Sequence, residues 1–264
     1  MPMESNAEEA VTAYEQPLNE RARTLLRLEF LFRQADFALQ GESPWHSRLG
    51  VHTLVELMEL LGRGDLRSEL NKELDRLLGV LAPLRRQPGV DDAQLDALLQ
   101  RLEGCNRRLK ALPGAPGGAL KQDELLVAVL QRSGVAGGTC GFDLPAYHHW
   151  LHRHPRERLE QLQRWLSTLS ELREAGETVL SLYRQSANIQ SLNAEDGSYQ
   201  RKLPAGAPGQ LIRVLLPAES RCHAVISGSK HFITVRFLQA TADGGGRAER
   251  VSDTVHFHLQ CCMI

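Results

Sequence analysis

The chain has 264 residues, 42% hydrophobic and 24% charged, with 31 Lys and Arg against 32 Asp and Glu for a formal charge of -1. That balance argues against a protein that coats nucleic acid through bulk positive charge, and the length suits one large domain or two unequal ones with a sizeable core. Five scattered cysteines (Cys105, Cys140, Cys222, Cys261 and Cys262) read as the reduced thiols of a cytosolic protein, not a disulfide framework. Met1 to Ala10 is polar and acidic, and no apolar run approaches the ~18 residues of a membrane span, so neither a signal peptide nor membrane insertion is expected.

The chain changes character near residue 190. Residues 1–16 are a polar N-terminus, in which Val11 to Gln16 can supply a short strand. Residues 17–190 read as a helical domain with leucines at helical spacing, and residues 191–264 as a β-domain with two-residue alternation. The expected class is therefore α+β, with the N-terminal helical domain packed with a small antiparallel sheet. After Pro17, Asn19 can cap a helix whose stripe is Leu25, Leu28, Phe32, Ala35 and Leu39, with Arg21, Arg23, Arg27 and Arg33 on its other face. A second helix is predicted from about Ser47 to Leu61. Asp65 caps a third, and Asp91 with Gln94 opens a fourth from Leu95 to Leu112. A short helix from Asp123 to about Arg132 and another starting near Pro145 follow. One long helix is then predicted from Pro155 to about Ser186.

Beyond it, Leu211 to Leu216 reads as a strand. Ala224 to Ser227 and His231 to Leu238 read as a hairpin about Gly228-Ser229, and Gly244 to Gly246 as a connection. Val251 to Cys262 alternates, with Val255, Phe257, Leu259 and Cys261 on one face and His256, His258, Gln260 and Cys262 on the other. Roughly four antiparallel strands with one apolar face are expected to pack on helices.

Catalytic motifs are absent. No phosphate loop, nucleophile elbow or cysteine-protease signature occurs, and no pair of carboxylates stands out as acid and base. The densest cluster is His148, His149, His152 and His154. His148 and His152 share a helix face, as in a zinc-dependent hydrolase, but His149 stands where the metalloprotease pattern needs Glu. A helix end enriched in histidine before Pro155 explains the cluster more simply. The expectation is no metal and no cofactor. What remains is surface. If Ile233, Val235 and Phe237 face the core, Arg236 is exposed beside Phe232, and Lys230 and His231 sit at the hairpin turn. Such a pairing suits an acidic or carboxylate-bearing peptide with an apolar anchor, although spacing alone slightly favours a plain surface ion pair between Arg236 and a nearby carboxylate.

Several segments, in order, resemble the ZapD family of bacterial cell-division factors. They are Pro17-Leu-Asn-Glu20 with Arg23, Leu26-Arg27 and Glu29-Phe-Leu31; then Arg67, Glu69-Leu70 and Lys72-Glu-Leu-Asp-Arg76. The most specific run is Gly137-Gly138, Cys140, Phe142-Asp-Leu-Pro145, His148 and Trp150-Leu-His152. Arg184-Gln-Ser-Ala187, Ile226-Ser-Gly228, Arg236-Phe237, Glu249-Arg250 and Cys261-Cys262 complete the series. The resemblance implies a non-enzymatic, cytoplasmic homodimer with a helical domain and a β-domain. Such a protein binds the C-terminal tail of the tubulin-like GTPase FtsZ, bundles its protofilaments and promotes Z-ring assembly at midcell. Carried over residue by residue, it makes Arg27, Arg63, His148 and Arg236 candidates for contact with the tail, with Lys230 and His231 behind them. The chain departs from the family pattern at Phe232 and at Asp123-Glu124, where relatives can be basic. The rival readings are a dimeric adaptor for another acidic peptide, a hydrolase using His148 and His152, and a nucleic-acid binder.

Overall fold

A computed structural model describes residues 10–203, 208–229, 231–241 and 248–264. The chain divides into two compact units: Thr24–Leu180, and the residues up to Arg23 together with Ser181–Ile264. The class is α+β, as expected, with helices in the first unit and antiparallel strands in the second.

Eight α-helices occur among the described residues: α1 (Glu20–Leu39), α2 (Pro44–Gly62), α3 (Leu66–Leu81), α4 (Asp92–Ala111), α5 (Glu124–Arg132), α6 (Pro145–Leu151), α7 (Pro155–Ser167) and α8 (Ser170–Gln185). Several of them start after a side-chain oxygen that accepts orphan backbone N–H groups. Asn19 Oδ1 accepts from Ala22 N at 2.8 Å, Asp65 from Ser68 N at 3.0 Å, and Asp123 from Leu125 and Leu126 N. α2 begins three residues earlier than its apolar pattern predicts, because Ser43 caps it and Pro44 takes the first turn.

α1 buries Leu25, Leu28, Phe32, Ala35 and Ala38. It runs antiparallel to α2: Gln34 Nε2 donates to Thr53 Oγ1 at 2.9 Å, and Gly50 faces Ala38. α8 packs on α1 at Gly176, where a Cβ would stand 3.1 Å from Leu28, and Arg173 grips the Asp36 carboxylate with two hydrogen bonds of 2.6 and 2.7 Å.

The single helix predicted from Pro155 is two. Ser167 Oγ donates to the Arg164 carbonyl and Thr168 Oγ1 to that of Trp165, while Thr168 N and Leu169 N bond three residues back. Those bonds compete with the helical ladder and end α7 before α8 starts.

The β unit departs further from expectation. In place of about four strands on helices, eight among the described residues form two sheets: β1 (Val11–Pro17), β2 (Gln190–Ala194), β3 (Ser198–Lys202), β4 (Gly209–Pro217), β5 (Cys222–Gly228), β6 (Phe232–Gln239), β7 (Glu249–Arg250) and β8 (Val255–Met263). One sheet has the order β1-β4-β8-β2. The other has β3-β6-β5, with β7 against the end of β6. Ile212, Val214, Leu216, Phe257 and Leu259 of the first share a core with Ile233, Val235, Phe237 and Ala224 of the second. The apolar faces thus bury each other. β2 and β3 are polar, so no alternation marks them. They are joined at Asp196-Gly197, both with positive φ (48° and 58°), the backbone of a tight two-residue hairpin. Gly197 is also required sterically, since a Cβ there would collide with the Val251 carbonyl.

The second face of β8 is covered as well, not solvated throughout. Gln260 is buried and Cys262 is fully so; Gln260 Nε2 donates to the Ala187 carbonyl at 3.0 Å. Beside it Glu15 of β1 receives Arg184 through two bonds of 2.8 Å and Arg213 through one of 2.7 Å. This cluster ties the end of α8 to β1 and β4 within the unit. The glycine run 244–246 lies outside the described residues.

Candidate functional site

In the β unit, the candidate surface is the solvent face of the second sheet. Ile233, Val235 and Phe237 are fully buried, so alternation turns Phe232, Thr234 and Arg236 outward. Arg236 is exposed on the central strand, between Ser198 of β3 and Val225 of β5. Phe232 lies opposite Lys202 and is 49% exposed. β3, β5 and β6 contribute no Asp or Glu to this face, and among the described residues Arg236 and Lys202 form no ion pair. Both cations are therefore available. His231 is exposed at the turn; its N–H donates to Ser229 Oγ at 3.3 Å and its carbonyl accepts from Leu203 N at 2.7 Å. Lys230 lies outside the described residues.

The remaining candidates lie in the helical unit, where the structure joins two and separates the third. Arg27 is exposed on α1, and Arg63 is exposed at the C-cap of α2, its N–H bonded to the Leu60 carbonyl. Antiparallel packing brings both to one end of the α1–α2 pair. His148, exposed on α6, belongs to the other end. Its neighbour Tyr147 lies under Arg48, close to the start of α2, and the length of α2 is about 27 Å at 1.5 Å per residue. The His148 and His152 ring centroids are 4.4 Å apart, and His152 Nδ1 is 2.8 Å from the His148 carbonyl. Among the described residues no three His, Cys, Asp or Glu side chains are grouped to hold a metal ion.

Arg48 was not among the sequence candidates. It donates to the Thr139 carbonyl and hydroxyl at 3.0 Å each, and its guanidinium lies 5.6 Å from the Trp45 ring centroid and 5.2 Å from that of Tyr147. The spacing of Trp45 and Arg48 on a helix was the available signal, but the partners at 139 and 147 come from elsewhere in the unit. Burial pushes the Tyr147 hydroxyl up to about 12.

Among the clefts that open in this unit are two larger ones. One of about 660 Å³ runs between α5 and α6 and is lined by Glu124, Leu125, Ala128, Leu144 and Tyr147 among others. The other, about 420 Å³, lies between α3 and the 114–116 loop. Of the two cations that line it, Arg67 and Lys72, the first is engaged. Arg67 donates to the carbonyls of Gly114 and Lys110 at 2.7 Å each, and Lys110 pairs with Asp75. A hydrogen bond from Asn106, and then one from Lys110, holds the Asp75 carboxyl below its ordinary value.

The sequence of this α+β chain finds its match among proteins of cell division. The family model ZapD, described as a cell division protein, matches residues 26–236. The Cell division protein ZapD of Methylococcus capsulatus is 41% identical over 251 residues, covering 95% of this chain and 98% of the relative. The chain belongs to the ZapD family of cell division proteins. No helix among the described residues is long and apolar enough to cross a membrane.

Proposed function

We propose that this protein is a non-enzymatic homodimer of the cytoplasm that binds the C-terminal tail of FtsZ, bundles FtsZ protofilaments and promotes Z-ring assembly at midcell. Membership of a cell division family carries the reading, and the open face around Arg236 and Phe232 supports it. An unpaired guanidinium on the same strand face as a half-exposed phenyl ring, about 13 Å further along at about 3.3 Å per residue, offers a carboxylate partner and an apolar seat to one extended peptide. Lys202 and His231 border the same face. Arg27 with Arg63, and His148 apart from them, are further contacts for the tail or for flanking polymer surface.

The mechanism is positional. A two-fold dimer carries two equivalent sites, so it can hold two filaments. Each tail contact is weak, but repetition along two polymers raises the effective concentration of every further contact. Exposed charges carry the attraction, so bundling weakens as salt rises. Co-sedimentation with full-length and tail-deleted FtsZ tests this. Bundling is expected only with the tail, and Arg236→Glu is expected to lower binding with helical content unchanged. Undiminished bundling of tail-deleted FtsZ would refute tail docking.

A further inference from the structure

The two outer strands of the second sheet differ in what lies beside them. β3 and β6 exchange backbone hydrogen bonds at every second residue. Phe237 N donates to the Gly197 carbonyl at 2.9 Å and Leu203 N to that of His231 at 2.7 Å, so in this register the backbones of residues 197, 199, 201 and 203 face β6. The N–H and C=O of Gln200 and Lys202 therefore point away from it, and among the described residues nothing bonds to them. Both residues are exposed. β2 meets β3 only at the Glu195–Ser198 bridge and then leaves to pair with β8. The other outer strand, β5, is covered at its Gly228 end, where a Cβ would stand 2.6 Å from Leu18.

An open strand edge takes another extended backbone, and register and charge decide whose. A second copy of β3 is a poor match. The antiparallel pairing about a two-fold axis that satisfies Gln200 and Lys202 of both copies sets Gln200 against Lys202 and Arg201 directly against Arg201, with Cα atoms about 4.5 Å apart. Arg201 bonds the neutral Gln190 amide oxygen at 2.5 Å, so its charge is uncompensated, and like charges so placed repel. A peptide with acidic side chains suits the same edge. On the solvent face its side chains would lie beside Ser198, Gln200 and Lys202. Lys202 and Arg236 make no ion pair among the described residues. Arg236 stands opposite Ser198, whose side chain is small. An added strand lies two strand spacings from Arg236, about 10 Å between backbones, which an arginine and a glutamate span together. The nearby acids, Glu195 and Asp196, belong to the turn that precedes β3.

We infer that the outer edge of β3 receives an extended acidic peptide as a further strand, bonded to the backbone of Gln200 and Lys202 with its carboxylates toward Lys202 and Arg236. The inference rests on the tail-binding reading above and adds the conformation in which the tail is held. Fluorescence anisotropy of a labelled peptide of the FtsZ C-terminal tail, titrated with the full chain, tests it. Peptides N-methylated at one residue at a time are expected to lose at least about 10-fold in affinity at alternate residues and to keep it at those between, since only every second N–H of an added strand faces β3. Gln200→Pro removes an outward N–H and leaves the β6 ladder its bonds, so it is expected to cost a similar factor with far-ultraviolet circular dichroism unchanged. Should that variant misfold, the N-methyl scan on the parent chain decides alone. Uniform tolerance of N-methylation, or loss at consecutive residues, overturns the added strand and leaves the tail reading intact. A folded Gln200→Pro chain that binds as tightly as the parent overturns the assignment to β3. No binding of the unmodified peptide by the parent chain overturns the tail reading itself, and the inference with it.

Discussion

Glu15→Gln is the sharpest test of what holds the β unit together. The Glu15 carboxylate receives three charge-assisted hydrogen bonds, two from Arg184 and one from Arg213, at 2.7–2.8 Å. The three side chains are only 17–20% exposed. Glutamine keeps the volume but removes the charge, and its amide nitrogen faces a guanidinium as donor against donor. Two half-buried cations then lose their counter-ion. Breaking a buried pair costs about 3–5 kcal/mol, and the residual exposure trims this to about 2–3 kcal/mol. For a chain of this size that corresponds to a fall in Tm of about 5 °C. Thermal and urea unfolding measure it. The same substitution placed on Arg184→Gln/Arg213→Gln is expected to cost far less, because the charges it compensates are gone. A loss under about 0.5 kcal/mol in the parent, the range of an ordinary surface change, would refute the clamp.

Phe237→Ala opens the sandwich itself. Its ring is fully buried with its centroid 5.0 Å from that of Phe257, so about 3–5 kcal/mol is expected in urea unfolding, and a loss below about 1 kcal/mol would deny the two-sheet core. Burial pushes the Cys262 thiol from 9.0 up to about 12. Its contribution to stability is therefore complete below pH 9 and is lost as pH rises towards 12. At neutral pH it holds on the order of 10³-fold less thiolate than a free cysteine, so alkylation in the native state is expected to be slower by at least that factor. Labelling as fast as in urea would contradict the burial.

Corrections to the sequence expectations share one cause. Helix existence and caps were legible because they are local: a side-chain oxygen at residue 19, 65, 91 or 123 reaches a backbone N–H two or three positions on, whatever surrounds it. The apolar stripes of α1 and α3 were legible for the same reason. β2 and β3 were missed because Gln190–Ala194 and Ser198–Lys202 carry little apolar surface; their partners in β8 and β6 make them strands. The Asp196-Gly197 turn was a signal that went unread. The break between α7 and α8 was hidden because leucine spacing continues across it, while Ser167 and Thr168 redirect the hydrogen bonds.

The candidate site divides in the same way. Once the hairpin was placed, alternation alone exposed Arg236 and Phe232. Whether a cation is free is another matter, since that depends on carboxylates and carbonyls distant in the chain. Arg67 and Arg173 are both committed, Arg67 to the carbonyls at 110 and 114 and Arg173 to Asp36 and Glu177. Periodicity, caps and family motifs thus determined the class, most of the helices and the exposed strand face, because each acts over a few residues. Tertiary structure decided the pairing of the two sheets, the burial of Cys262, and which arginines remain unpaired and which aromatics lie bare. Those properties depend on contacts between residues far apart in the chain, and local spacing does not encode them.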